Sequence, residues 1–133
     1  MVGESHDRER VLIVDDSRTQ RKLLCLQLEA AGYAVTAAAT SQEALALLGC
    51  EQFDVMMTDL SLPHVDGAEL IRRARAEPRH EAMLTLLVSG SAIDRLAEAC
   101  AEAGADGYLR KPFLRQTLAA ALVSGRQRAA GQR

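Results

Sequence analysis

Apolar positions along this chain fall into two alternating rhythms. Short continuous runs such as Val11-Leu-Ile-Val14, Val55-Met-Met57 and Leu84-Thr-Leu-Leu-Val88 are separated by longer stretches whose apolar residues recur three and four apart. Continuous runs suit strands buried on both faces of a sheet, and the spaced pattern suits amphipathic helices. The pattern predicts strands at Arg10 to Asp15, Tyr33 to Ala38, Phe53 to Thr58, Met83 to Val88 and Ala105 to Leu109. Helices are predicted at Ser17 to Ala31, Thr40 or Ser41 to Gly49, Ala68 to Ala76, Ala92 to Ala103, and Phe113 to about Gly125.

Local signals support these boundaries. Asp16 or Ser17 can cap the first helix, whose Leu24, Leu28 and Ala31 share a face, and Gly32 stands where a left-handed terminator belongs. Thr40 or Ser41 can cap the second, with Glu43 near the capping-box position. Ser61-Leu-Pro-His-Val-Asp-Gly67 reads as a loop because Pro and Asp-Gly favour turns. Strict alternation of strands and helices implies an α/β, doubly wound parallel sheet with right-handed crossovers and helices on both faces. A chain of 133 residues is expected to form one domain over residues 10–125, after a flexible start over 1–9. Residues 126–133 read as a helix end or a linker tail.

The strand ends carry the chemistry. The first strand runs into Asp15-Asp16, the third into Asp59, the fourth into Ser89 and the fifth into Lys111-Pro112. Parallel strands would gather these groups at the carboxyl edge of the sheet, where open α/β sheets bind ligands. Clustered carboxylates raise one another's pKa unless a cation offsets them. Mg²⁺ suits a site with few protein carboxylates and several retained waters. Taken alone, the Asp15-Asp16 pair reads equally as a helix cap. Lys111 favours the ligand reading, because its ammonium is expected in the same crevice, beside a carboxylate or a bound phosphate. A cis bond at Lys111-Pro112 would aim that lysine inward.

Composition narrows the choice. The formal net charge of −2 points to neither nucleic acid nor membrane, and aromatics at 3% leave few stacking surfaces. Cys25, Cys50 and Cys100 contain no CxxC pair, so they are read as small apolar filler on helices in a reducing cytosol. No apolar run approaches the ~20 residues needed to span a bilayer. Met1 to Arg10 is too polar for a signal peptide, so a cytoplasmic protein is expected.

Val14-Asp-Asp16, Thr58-Asp-Leu-Ser-Leu-Pro-His-Val-Asp-Gly67, Val88-Ser-Gly90 and Gly104-Ala-Asp-Gly-Tyr-Leu-Arg-Lys-Pro-Phe113 occur in this order. Together they resemble the receiver domain of bacterial two-component response regulators, over roughly Arg10 to Gly125. The resemblance implies a flavodoxin-like fold with strand order 2-1-3-4-5. It implies that Asp59 accepts a phosphoryl group from a phosphohistidine on a sensor histidine kinase or histidine phosphotransfer protein. Asp16 and Asp59 would bind Mg²⁺ with the Ser61 backbone carbonyl, and Asp15 would act through a metal-bound water. Lys111 and Ser89 would contact the phosphoryl oxygens. Ser89 and Tyr108 would relay phosphorylation to the surface of the fourth helix, fifth strand and fifth helix.

In the family, Ser61 and Ser91 occupy positions that influence how water reaches the acyl phosphate. Arg110 is expected to face outward, and His64 to be an exposed loop histidine. His80-Glu81 is similar to the His-Glu of a phosphodonor helix, but it follows Pro78 where a short loop is expected, so that reading is rejected. Arg18, Arg21 and Lys22, with Leu26, form a candidate kinase-docking face. An aspartyl phosphatase would carry Asp-x-Asp after the first strand, and 133 residues leave no room for its cap domain. A dinucleotide site lacks its Gly-rich turn. A phosphorylation-independent binding module would not need the whole set Asp15, Asp16, Asp59, Ser89 and Lys111. Output is expected through a protein partner, from a stand-alone regulator or from a receiver module of a hybrid kinase or multidomain regulator.

Overall fold

The computed structural model describes residues 8–90 and 92–132. Strands β1 (Arg10–Val14), β2 (Ala34–Ala38), β3 (Val55–Asp59), β4 (Leu84–Ser89) and β5 (Gly107–Arg110) alternate with helices α1 (Arg18–Ala30), α2 (Ser41–Cys50), α3 (Gly67–Arg75), α4 (Ile93–Ala103) and α5 (Arg115–Gln132). A 3₁₀ turn, Pro78–His80, joins α3 to β4. All strand pairs are parallel, in the order β2-β1-β3-β4-β5.

Strand residues divide between the two faces with period two. Leu12, Val14, Met56 and Leu87 pack with Leu48, Leu70, Ile71 and Leu96 from α2, α3 and α4. Val11, Ile13, Met57 and Leu86 pack with Leu24, Leu28, Leu118 and Leu122 from α1 and α5. Burial on both faces explains why the strand sequences are continuous apolar runs rather than alternating ones.

Caps fix the helix starts. Ser17 caps α1 by accepting from the Gln20 amide, Thr40 caps α2 from the Glu43 amide, and Asp66 caps α3 from the Glu69 amide. Gly32 and Gly104 both take positive φ after helices, at 98° and 73°, a conformation that favours glycine.

Several boundaries differ from expectation, each for a tertiary reason. Helix α2 passes through Gly49 to Cys50, whose side chain is exposed rather than apolar filler. Strand β3 begins at Val55 rather than Phe53, because the Asp54 carboxylate accepts from the Arg10 amide just before the ladder starts. Ala105 stays outside β5, its amide bonded to the Cys100 carbonyl in the turn that ends α4. The closing helix begins later and runs further than its sequence suggests. It starts at Arg115 rather than Phe113 and reaches Gln132, seven residues past Gly125. Gly125 lets it lie against Leu84 and Leu86, and Ala129 packs on the second core. Arg126 pairs with Glu9 and reaches the Tyr33 hydroxyl at 3.3 Å.

That pairing also anchors Glu9, whose carbonyl accepts from the Ala34 amide at 2.9 Å. The flexible start expected over 1–9 therefore does not extend to Glu9, and residues 1–7 lie outside the described residues. His80 occupies the 3₁₀ turn and is buried rather than in an open loop. No helix among the described residues is long and apolar enough to cross a membrane.

Candidate functional site

Asp15 follows β1, Asp59 ends β3, Ser89 ends β4 and Lys111 follows β5, so the parallel register brings all four to one edge. Carboxylate oxygens of Asp15, Asp16 and Asp59 lie within 4.8 Å of one another. Asp15 is buried, Asp59 half-buried and Asp16 exposed. The ammonium of Lys111 donates to Asp15 Oδ2 at 3.0 Å and to Asp59 Oδ2 at 3.1 Å. Burial alone would lower the Lys111 pKa. Its hydrogen bonds to Asp15 and Asp59, with their charges, outweigh that and hold it above the ordinary lysine value. The peptide bond between Lys111 and Pro112 is cis, as expected.

The backbone around these groups is held on every side. Asp15 Oδ1 accepts from the Ser17 amide at 2.9 Å, and its carbonyl accepts from the Arg21 guanidinium at 2.8 Å. Asp59 Oδ1 accepts from the Ser61 amide at 3.1 Å, and the Asp59 carbonyl from the Thr58 hydroxyl at 3.0 Å. The Lys111 amide donates to the Ser89 carbonyl at 2.8 Å, extending the β4–β5 ladder up to the lysine itself. Ser89 is buried, Tyr108 is half-buried against the first core, and Arg110 is exposed as expected. Ser61 and His64 are exposed, and His64 adopts a positive φ of 68°. Ser91 lies outside the described residues.

Three contributions escaped the sequence reading. Gly67 opens α3 directly behind the Asp59 backbone, and a Cβ there would lie 2.2 Å from the Asp59 carbonyl oxygen. Its only signal was the Asp-Gly turn, which explains the bend but not the close approach. Arg21 was read as a surface docking charge, yet it caps the Asp15 carbonyl. Asp106, quoted only as part of a motif, is buried and paired with Arg75. Cys25 is half-buried and Cys100 buried; burial, aided by Glu29 and Asp106 respectively, raises both thiols above their usual range.

A groove of about 250 Å³ opens beside Asp15 and Lys111, between α1 and the segment after β5, walled by Gln20, Leu23, Pro112 and Phe113. Leu23 and Leu26 on α1 are 51% and 57% exposed.

The carboxyl edge of a parallel five-stranded sheet thus carries an acidic cluster and a lysine together. The family model for the response regulator receiver domain matches residues 11–123. The chain is 37% identical over 111 residues to the response regulator MprA of Mycolicibacterium vanbaalenii, covering 84% of this chain and 47% of that protein. It is 37% identical over 124 residues to the sensor histidine kinase RcsC of Salmonella typhimurium, covering 88% of this chain and 13% of the kinase. The solved structure of the chemotaxis response regulator CheY4 of Vibrio cholerae superposes with a TM-score of 0.82 at 31% identity, covering 89% of this chain and 98% of that one.

The chain belongs to the response regulator receiver family. It spans about half the length of MprA. Receiver domains bind Mg²⁺ at an acidic aspartate cluster and interact with histidine kinases or phosphotransfer proteins. The oxygen-only donor set of Asp15, Asp16 and Asp59 fits a hard divalent ion.

Proposed function

We propose that the chain is a phosphoacceptor switch in which Asp59 takes a phosphoryl group from a phosphohistidine. The carrying observation is the convergence of Lys111 on both Asp15 and Asp59, which places a fixed cation against the nucleophile. An Asp59 oxygen attacks phosphorus, the P–N bond breaks, and the donor imidazole leaves with the bond's electron pair and takes up a proton. Positioning and charge neutralisation do most of the work in such a transfer.

Asp16 and Asp59, with the Ser61 carbonyl, would hold Mg²⁺, and Asp15 would bind through a water; the ion supplies neutralising charge to the phosphoryl oxygens. Lys111 shifts from pairing two carboxylates to pairing one carboxylate and the new phosphoryl group. Ser89 offers its hydroxyl to a phosphoryl oxygen. A phosphoryl group adds about −1.5 to −2 charge, and Ser89 and Tyr108 relay its arrival to α4, β5 and α5. The exposed Leu23 and Leu26, with Arg18 and Lys22, and the groove beside Lys111 supply the surface for a phosphodonor helix. A partner protein reads the α4–β5–α5 face.

The test is incubation with Mg²⁺ and acetyl phosphate followed by intact-mass measurement. A base-labile, acid-stable phosphoryl adduct that Asp59→Asn abolishes supports the reading. An unmodified wild-type chain under saturating donor would instead point to a phosphorylation-independent binding module.

A second reading concerns context. The match to half of MprA and to a small part of RcsC favours the same receiver acting as one module of a longer regulator or hybrid kinase.

A further inference from the structure

The cation of the site rides on the least constrained strand of the sheet. Strand β5 has four residues, pairs only with β4, and begins with a glycine. A slip of one residue exchanges the two faces of a strand, and in β5 the buried Leu109 resists it from one side. Charge at the site gives little protection here, because Arg110 and Lys111 are adjacent and a slip would replace one cation with another. Burial of Leu109 is one restraint on this register, and a polar one lies at the start of the strand.

The opposite end of the strand pair carries a buried ionic network. Asp106, immediately before β5, is 3% exposed at its side chain and pairs with Arg75 at 2.5 Å. Its Oδ2 accepts from the Thr85 amide at 2.9 Å, and the Asp106 amide donates to the Thr85 carbonyl at 2.9 Å. Arg75 also reaches the Thr85 hydroxyl at 3.1 Å and the Met83 carbonyl at 2.8 Å. The observed register sets Asp106 beside Thr85 and gives this carboxylate its Thr85 and Arg75 partners, and breaking up a buried charge pair is strongly disfavoured. Counting from that anchor, Ser89 pairs with Arg110 and the Lys111 amide meets the Ser89 carbonyl.

Arg75 is the last residue of α3, and Gly67 at the other end of that helix abuts the Asp59 carbonyl. One ion pair therefore joins the helix braced behind the nucleophile to the strand that carries the lysine.

We propose that Arg75 and Asp106 are positioning residues that set the β4–β5 register and thereby place Lys111 against Asp59. The functional consequence rests on the phosphoacceptor reading given above; the register itself does not.

The test uses the full chain with Arg75→Met and Asp106→Leu together, which removes both charges and strands neither. Thermal unfolding by circular dichroism establishes that it folds. Amide hydrogen exchange at Lys111, referenced to Ile13 in β1, and cross-strand NOEs between Val88 and Leu109 report the register. Mass measurement after acetyl phosphate and Mg²⁺ reports phosphoryl uptake. The expected result is at least a tenfold larger loss of protection at Lys111 than at Ile13, weakened NOEs, and uptake slowed tenfold or more. Asp106→Asn keeps an oxygen for the Thr85 amide and should restore most of both.

A folded double variant with wild-type protection at Lys111 and wild-type NOEs overturns the proposal, as does wild-type uptake in a register-shifted variant. If the double variant does not fold, Arg75→Met alone decides. Selective loss at Lys111 supports the proposal, and loss only in step with Ile13 overturns it. A wild-type chain that takes no phosphoryl group overturns the phosphoacceptor reading, and the exchange comparison still decides the register.

Discussion

Lys111 and Asp59 are 52 positions apart in sequence, yet their ammonium and carboxylate meet at 3.1 Å. The contact crosses β4, which lies between their strands in the sheet. It sets a built-in countercharge against one carboxylate of the acidic cluster.

Replacing that countercharge should affect both chemistry and folding. Lys111→Ala is expected to slow phosphoryl uptake by about 10²–10³-fold, the usual cost of removing one fixed donor from a charge-stabilised transition state. Its melting temperature should fall as well, because Asp15 is left buried beside two other carboxylates. Uptake close to wild type from acetyl phosphate would rule out a direct role for the lysine.

Gly67→Ala probes the close approach behind Asp59. With a Cβ set to fall 2.2 Å from the Asp59 carbonyl, α3 must shift as a body. Overpacking of this kind costs about 1–3 kcal/mol, measurable by urea unfolding, and the displaced Asp59 should accept phosphoryl groups more slowly. An unchanged unfolding midpoint would contradict the packing described.

Mg²⁺ should stabilise the protein. An ion that binds only the folded state at a hundred times its Kd adds about 2.7 kcal/mol, so the melting temperature should rise with Mg²⁺ and return on chelation. Asp16→Asn should abolish most of this rise, since the exposed Asp16 makes no other described contact at the site. An equal rise in the variant would place the ion elsewhere.

His80 predicts an acid limit to stability. The ring is 2% exposed with Nδ1 unpartnered. Burial, then the Arg79 charge, holds its pKa below the ordinary histidine value. The unfolded chain therefore binds the proton more readily. Stability from this group is complete above about pH 6.5 and is lost as pH falls from there through the folded value. Urea midpoints at pH 7.5 and 5.5 should differ, and His80→Phe should shrink the difference. The same slope in the variant would assign the effect to the carboxylates.

Hydrophobic rhythm revealed the order of elements because the central strands β1, β3 and β4 are buried on both faces and the helices on one. The caps Ser17 and Thr40 were each one of two adjacent candidates legible locally, whereas Asp66 was legible only as part of a turn. The end of α5 was not legible, because Ala-, Gly- and Gln-rich sequence after Gly125 has no strong pattern of its own. Contacts from Arg126 to Glu9 and from Ala129 to the core hold it helical. Cys50 was misjudged for a similar reason: a cysteine's burial depends on which way its helix faces, and Cys50 faces outward.

The sequence by itself determined five alternating units and put Asp15, Asp59, Ser89 and Lys111 at strand ends, since continuous apolar runs and turn residues act within a few positions. Family resemblance added the strand order. Tertiary structure alone decided that Lys111 reaches two carboxylates at once, that Gly67 must lack a side chain, and that Arg75 finds Asp106 across the sheet. Each of these depends on the separation of groups far apart in the chain, a quantity that local propensity does not encode and that packing at near-crystalline density fixes to fractions of an ångström.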